Sequence, residues 1–251
     1  MAAIHFQNIS KSFNAGKAMQ LQVLQNVELK IESGAFVTIV GANGSGKSTL
    51  LNVIAGTVKP DSGNIYIDNN NLNNTSDFQR SRFIARIFQN PLMGTAADLS
   101  ITENFRIAAL RSKPKSLLSI YGKSFEDIVA HSVQKLNMNL ESKLHQKMGT
   151  LSGGQRQALT LLMSVMDECK VLLLDEPVAA LDPHSSEQVM QIANRLIAEY
   201  KLTAIMVTHS MKDACTYGNR IIQMKEGKIL RDISGDEKPK LQVNDLYKWF
   251  E

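Results

Sequence analysis

Aromatic residues supply only 6% of the 251 positions, with a single tryptophan, and the basic residues are scattered rather than clustered. A surface that stacks bases or tracks a phosphate backbone needs both rings and grouped cations, so no nucleic-acid partner is expected. The net charge of +4 is too small to argue otherwise. Cysteine is as scarce: Cys169 and Cys215 lack the spacing of a metal site, and two thiols of a reducing compartment read as free. Long apolar runs are missing, none reaching the roughly 18 residues of a membrane span. The opening MAAIHFQNIS has neither the basic head nor the apolar core of an export signal. The chain is therefore expected in the cytosol, with any membrane association peripheral. What is present, 43% hydrophobic and 21% charged residues, suits one large α/β domain or a core with a smaller inserted subdomain.

The sequence is organised around Gly41-Ala42-Asn43-Gly44-Ser45-Gly46-Lys47-Ser48-Thr49, which fits the phosphate-binding pattern G-x-x-x-x-G-K-[ST]. An apolar run, Phe36 to Val40, precedes it as a buried strand, and Thr49 to Ile54 opens a helix. Glycines there let the backbone approach a polyphosphate and turn its N–H groups inward, and the helix N-terminus adds partial positive charge. Lys47 then faces the outer phosphates and Ser48 ligates Mg²⁺.

Ile4 to Ile9 and Val27 to Ile31 read as an antiparallel pair, separated by a polar stretch around Asn14 to Gln22. Phe13 is either an exposed ring on which a base stacks or a ring folded back on the core. Asn64 to Asp68 is a short strand, and the asparagine tract Asn69 to Asn74 a polar loop without chemistry. Arg82 to Phe88 is a strand that Pro91 ends, leaving Gln89 at its tip. From Leu92 to about Met148 a mixed helical pattern, broken around Arg111 to Ser116 and Gly122 to Ser124, reads as an inserted helical subdomain.

Leu151-Ser152-Gly153-Gly154-Gln155 carries two readings. Ser152 and Gln155 have capping-box spacing, while two glycines weaken a helix start unless something approaches its backbone closely, as at an anion site. Val171 to Leu174 is a central strand ending in Asp175-Glu176, neighbours that point to opposite faces and so do different work. Asp175 is placed to hold Mg²⁺ through water and Glu176 to take a proton from attacking water. Val189, Ile192, Leu196, Ile197 and Tyr200 follow helical spacing, with a cap expected near Ser185 or Ser186. Thr203 to Val207 is the next strand, and His209 at its end is either structural or a γ-phosphate contact. A hairpin follows from Arg220 to Ile233, and Leu246 to Phe250 form an apolar patch that docks on the same subunit or on a partner.

The order P-loop, Gln89, LSGGQ at 151 to 155, Asp175-Glu176, Leu181-Asp182 and His209 resembles the nucleotide-binding subunit of an ATP-binding-cassette transporter over nearly the whole chain. The resemblance implies an α/β P-loop fold with a mostly parallel core sheet, an N-terminal antiparallel β subdomain and an inserted α-helical subdomain. It divides one domain, 1–251, into an ATP-binding core (1–89 and 165–235), a helical signature subdomain (about 90–164) and a tail (236–251). It further implies that Phe13 stacks on adenine, where tyrosine is commoner, and that Gly41, Asn43, Gly44, Ser45, Gly46, Lys47, Ser48 and Thr49 hold ATP. Gln89 reaches Mg²⁺ and the water, His209 contacts the γ-phosphate, and Asp182 lies along a dimer seam. Ser152, Gly153, Gly154 and Gln155 serve ATP held by a second subunit, which a head-to-tail homodimer explains, since one polyphosphate cannot easily use two helix N-termini of separate subdomains.

The expected function is an ATPase that drives a separate membrane permease from the cytoplasmic face of the inner or plasma membrane, through a groove near Gln89 to Ile101. LSGGQRQALTLL at 151 to 162, Tyr217-Gly218-Asn219-Arg220 and Gly235-Asp236-Glu237-Lys238 look like cassettes paired with extracytoplasmic solute-binding proteins, some for aromatic amino acids. The alternatives are a soluble cassette acting on ribosomes or DNA, an exporter cassette, and a non-hydrolysing regulatory cassette, the last opposed by Glu176 and His209.

Overall fold

The computed structural model describes residues 3–14, 20–111 and 123–250. The polar link around Asn14 to Gln22 and the breaks around Arg111 to Ser116 and Gly122 to Ser124 lie partly outside these residues. The first sheet is antiparallel, in the order β2 (Leu21–Ile31), β1 (Ile4–Phe13), β4 (Ser62–Ile67), β5 (Asn70–Asn71). The second runs β10 (Lys228–Ser234), β9 (Arg220–Lys225), β3 (Phe36–Val40), β8 (Thr203–Val207), β7 (Val171–Asp175), β6 (Ile84–Ile87). All its pairings are parallel except the β9–β10 hairpin.

Strands β3 and β8 are buried at every position, which is why they read as unbroken apolar runs: both faces of the sheet are covered. The pleat divides β7 between two cores. Val171 and Leu173 pack with the antiparallel sheet and α1 (Lys47–Ala55), while Leu172 and Leu174 pack on the other face. That second core is built from α3 (Ile101–Ala109), α4 (Lys123–Gln134), α5 (Gly153–Ser164) and α6 (Pro183–Glu199). The register places Asp175 opposite Val207 and Val207 opposite Ile39, so the carboxyl ends of β3, β7 and β8 lie level.

Three local expectations change. The asparagine tract is no plain loop: Asp68 and Asn69, at φ 50° and 65°, make a tight turn, and β5 pairs back on β4. Asn73 fastens it, accepting from Ile65 N at 3.0 Å and donating to Gly63 O at 2.8 Å. An unforeseen four-residue helix, α2 (Asp77–Arg80), carries Arg80 into the interior, where it donates to the carbonyls of Val53 and Ile54 at the end of α1 and of Leu72. Burial holds its pKa below the usual arginine value. Helix α6 is capped by Asp182, not Ser185 or Ser186: the Asp182 carboxylate accepts from Ser185 N at 3.0 Å, and Pro183 takes the first helical position. Beyond α7 (Met211–Thr216) and the hairpin, α8 (Val243–Tyr247) buries Leu246 against Val40, Ala214 and Ile221, so the tail docks on its own chain.

Candidate functional site

The chain leaves β3 at Val40 and enters α1 at Lys47 through the glycine loop. Gly46 caps the helix at φ 100°, and a Cβ on it would come within 2.6 Å of Val23 O, so no other residue fits without backbone movement. Lys47 is buried and curls onto its own loop, donating to the main-chain oxygens of Gly41 at 2.7 Å and Ala42 at 2.9 Å. Burial lowers its pKa, an effect the negative charges of Glu176 and Asp175 partly offset. A cavity of about 190 Å³ is walled by residues 43–49, Leu21, Val23, Glu176 and His209.

Phe13 is 39% exposed, faces Leu21 across the β1–β2 pair, and has the Lys11 ammonium 5.6 Å from its ring centroid. The ring is therefore not folded back on the core. Asp175 and Glu176 diverge. Asp175 Oδ2 accepts from Arg86 Nη2 at 2.6 Å, whereas Glu176 turns away at φ 48°, a left-handed backbone that costs a glutamate strain, and its Oε1 lies 3.0 Å from His209 Nε2. Ser48 and Gln89 are both exposed, Gln89 in the bend after β6 and outside the walls of that cavity.

The signature segment lies elsewhere on the chain. Ser152 caps α5, accepting from Gln155 N at 3.3 Å, and Gln155 Oε1 accepts from Ser152 N at 3.2 Å, so the capping box exists. What approaches Gly154 within this chain is α6: a Cβ there would meet the Ser185 side chain at 2.8 Å. Ser152 is nevertheless exposed at the helix start. Asp182 is exposed too, and its hydrogen bonds with Ser185 hold its pKa below the usual carboxylate value.

Three further residues tie these segments together. Gln157, 1% exposed on α5, donates from Nε2 to Phe88 O at 3.0 Å and to Pro177 O at 2.6 Å, joining the signature helix to the residues beside Gln89 and Glu176. Arg156, also buried, donates to the carbonyls of Met148, Gly149 and Leu151 and fixes the approach to the signature. Arg86 holds Asp175. The sequence signal for the first two is a pair of polar residues inside a stretch, 156–164, that is otherwise apolar or small. A larger cavity, about 590 Å³, lies between the sheet and the helical region, with Phe78, Arg86, Phe88, Gly94, Ile107 and Met163 among its walls.

A parallel sheet whose glycine loop opens into a helix, with two carboxylates and a histidine level with it, defines a P-loop ATPase. The ABC transporter family model matches residues 24–179, and the chain belongs to that family, as an ATP-binding subunit. It is 37% identical over 248 residues to a tyrosine transport ATP-binding protein of Clostridioides difficile, covering 99% of this chain and 98% of the relative. It is 33% identical to a phosphonates import ATP-binding protein of Halalkalibacterium halodurans, covering 97% and 93%. Among solved structures it resembles a dimeric ATP-binding cassette of Methanocaldococcus jannaschii in a post-hydrolysis state bound to ADP and Pi, at a TM-score of 0.78, 30% identity and coverage of 92% and 98%.

Proposed function

We propose that this chain is the energy-coupling subunit of a bacterial importer of amino acids, with aromatic amino acids the leading solutes. The observation that carries the ATPase core of this reading is the shared cavity: the glycine loop, Glu176 and His209 face one space, while the capped, glycine-bearing start of α5 opens elsewhere on the same chain. Such a division suits a two-fold dimer in which each ATP lies between one subunit's residues 41–49 and the other's Ser152, Gly153, Gly154 and Gln155, with Asp182 along the seam. Phe13 supplies the stacking face for the base. Residues 1–89 and 165–235 form the ATP-binding core, about 90–164 the signature subdomain, and 236–251 the tail.

In the reaction Lys47 exchanges its hydrogen bonds with Gly41 and Ala42 for the β- and γ-phosphates. Glu176 accepts the proton of the attacking water, and His209, beside it, orients that water and the γ-phosphate. The donors suited to a metal are the Ser48 hydroxyl, the Gln89 amide oxygen and the Asp175 carboxylate, all hard oxygens. Among the described residues no group of three or more His, Cys, Asp or Glu side chains gathers to hold an ion alone. That set fits Mg²⁺, which arrives with phosphate and water ligands and supplies charge neutralisation of the transferring group.

Among the described residues no helix is long and apolar enough to cross a membrane. In this reading the permease subunits and a solute-binding protein are separate chains. The groove between sheet and helical region, with Phe78 and Ile107 exposed beside it, receives a cytoplasmic segment of the permease. The chain thus works at the cytoplasmic face of the membrane. A strain lacking this chain should lose uptake of labelled tyrosine or another amino acid and regain it with the wild-type gene. Unchanged amino-acid uptake together with lost efflux of another solute would overturn the importer reading.

A further inference from the structure

Arg86 has no part in the mechanism above, yet it touches Asp175, one of the metal donors named there. It sits on β6 beside β7, its side chain 15% exposed. Nη2 donates to Asp175 Oδ2 at 2.6 Å and Nη1 to Asn52 Oδ1 of α1 at 2.6 Å, while the guanidinium lies 4.9 Å from the Phe88 ring centroid. The third nitrogen, Nε, is buried without a hydrogen-bond partner. Its fork is less fully satisfied than that of Arg80, whose Nε, Nη1 and Nη2 all donate to main-chain carbonyls. Arg86 instead spends two arms on side chains, one on Asp175 and one on Asn52 of the helix that follows the glycine loop. It also lines the larger groove.

We propose that Arg86 is a positioning residue that restrains metal capture by Asp175. This rests on the reading of Asp175 as the carboxylate that holds Mg²⁺ through water. A guanidinium does not lose its charge at any physiological pH, so no change of pH in that range releases Asp175 Oδ2 from this pair by deprotonating Arg86, and the carboxylate's negative charge is largely balanced. The same positive charge repels a divalent ion approaching that carboxylate. Asp175 therefore holds the ion more weakly than a free carboxylate would. Asn52 keeps the guanidinium in register with α1, the helix that carries Lys47 and Ser48 at its start.

The test uses Mn²⁺ as the probe, with free ion read by electron paramagnetic resonance on the full chain loaded with a non-hydrolysable ATP analogue. Arg86→Gln and Arg86→Met should each bind Mn²⁺ about tenfold more tightly than wild type, the effect of removing one like charge near a divalent ion. Arg86→Lys, which keeps the charge, should stay within about threefold of wild type. Asp175→Asn should weaken binding, and in that background Arg86→Gln should tighten it by less than it does in wild type, since only the through-space repulsion is then relieved. Unchanged or weaker Mn²⁺ binding in the neutral Arg86 variants, with Asp175→Asn still weakened, would overturn the restraint while leaving Asp175 a ligand. Asp175→Asn binding like wild type would overturn both. Should the glutamine variant fail to fold, the methionine variant, which fills the arginine stem's space, carries the comparison. Lower thermal stability with unaltered Mn²⁺ affinity would assign Arg86 a structural role only.

Discussion

Replacing Gln157 with leucine keeps the side chain's size and removes its two donated hydrogen bonds. The Pro177 carbonyl is buried and would be left unsatisfied, at a cost of about 1–3 kcal/mol. The Phe88 carbonyl is only partly buried, so water replaces the lost donor and the loss there is nearer ~0.5 kcal/mol. Leucine returns about 1 kcal/mol through the apolar surface it buries. The net loss is about 0.5–2.5 kcal/mol, or a melting midpoint lowered by roughly 1–10 °C in a chain of this size. The effect on turnover should be larger than on binding. Both carbonyls adjoin working residues, Phe88 beside Gln89 and Pro177 beside Glu176, whereas the glycine loop is untouched. In steady-state ATPase assays kcat should fall about tenfold, some 1.4 kcal/mol of lost orientation, with KM for ATP within about threefold. A variant that melts and turns over like wild type would refute the idea that one amide aligns these segments. A raised KM at constant kcat would place its influence on ATP binding instead.

Glu176→Gln keeps the size of the side chain but cannot take a proton, so ATP hydrolysis should slow at least about a hundredfold. That variant should accumulate as an ATP-dependent dimer by light scattering, and adding Ser152→Arg should abolish the dimer by blocking the opposing phosphate site; a monomer with normal hydrolysis contradicts both assignments. Asp182→Ala should melt below wild type at neutral pH because the cap of α6 is lost. Since the folded Asp182 carboxyl titrates below its ordinary value of 3.8, its charged cap contributes fully above that value and is lost as pH falls through the lower one. The melting difference should therefore shrink in acid, and a difference constant from neutral pH down to below pH 3 would argue against a charge-dependent cap.

The legible parts of the sequence were those whose signal is local. Phe36 to Val40, Val171 to Leu174 and Thr203 to Val207 are short apolar runs because a sheet covered on both faces leaves no position for a polar side chain. The glycine loop and LSGGQ are contiguous, so composition and spacing alone mark them. The order of the six strands was not legible, being set by which helices cross which face. Helix α2 is too short to show a period, and its main contribution, the buried Arg80, reaches carbonyls 26 and 27 residues earlier. The cap of α6 was misplaced because apolar spacing begins only at Val189, whereas the helix is set at its start by Asp182 and Pro183. Gln157 was hidden for a similar reason. A polar residue in an otherwise apolar or small stretch signals a buried partner but does not name it, and the partner here, Phe88, lies 69 residues away.

The left-handed backbone of Glu176 has a bearing on attempts to improve this protein. Glycine would relax that conformation, and asparagine tolerates it better than glutamate does. A library sorted for heat resistance alone would thus be drawn at this one codon toward residues that lack the carboxylate proposed to accept the proton, and on that proposal would trade turnover for robustness. Selection has to include turnover in every round, or position 176 has to be held fixed while the rest of the chain is varied.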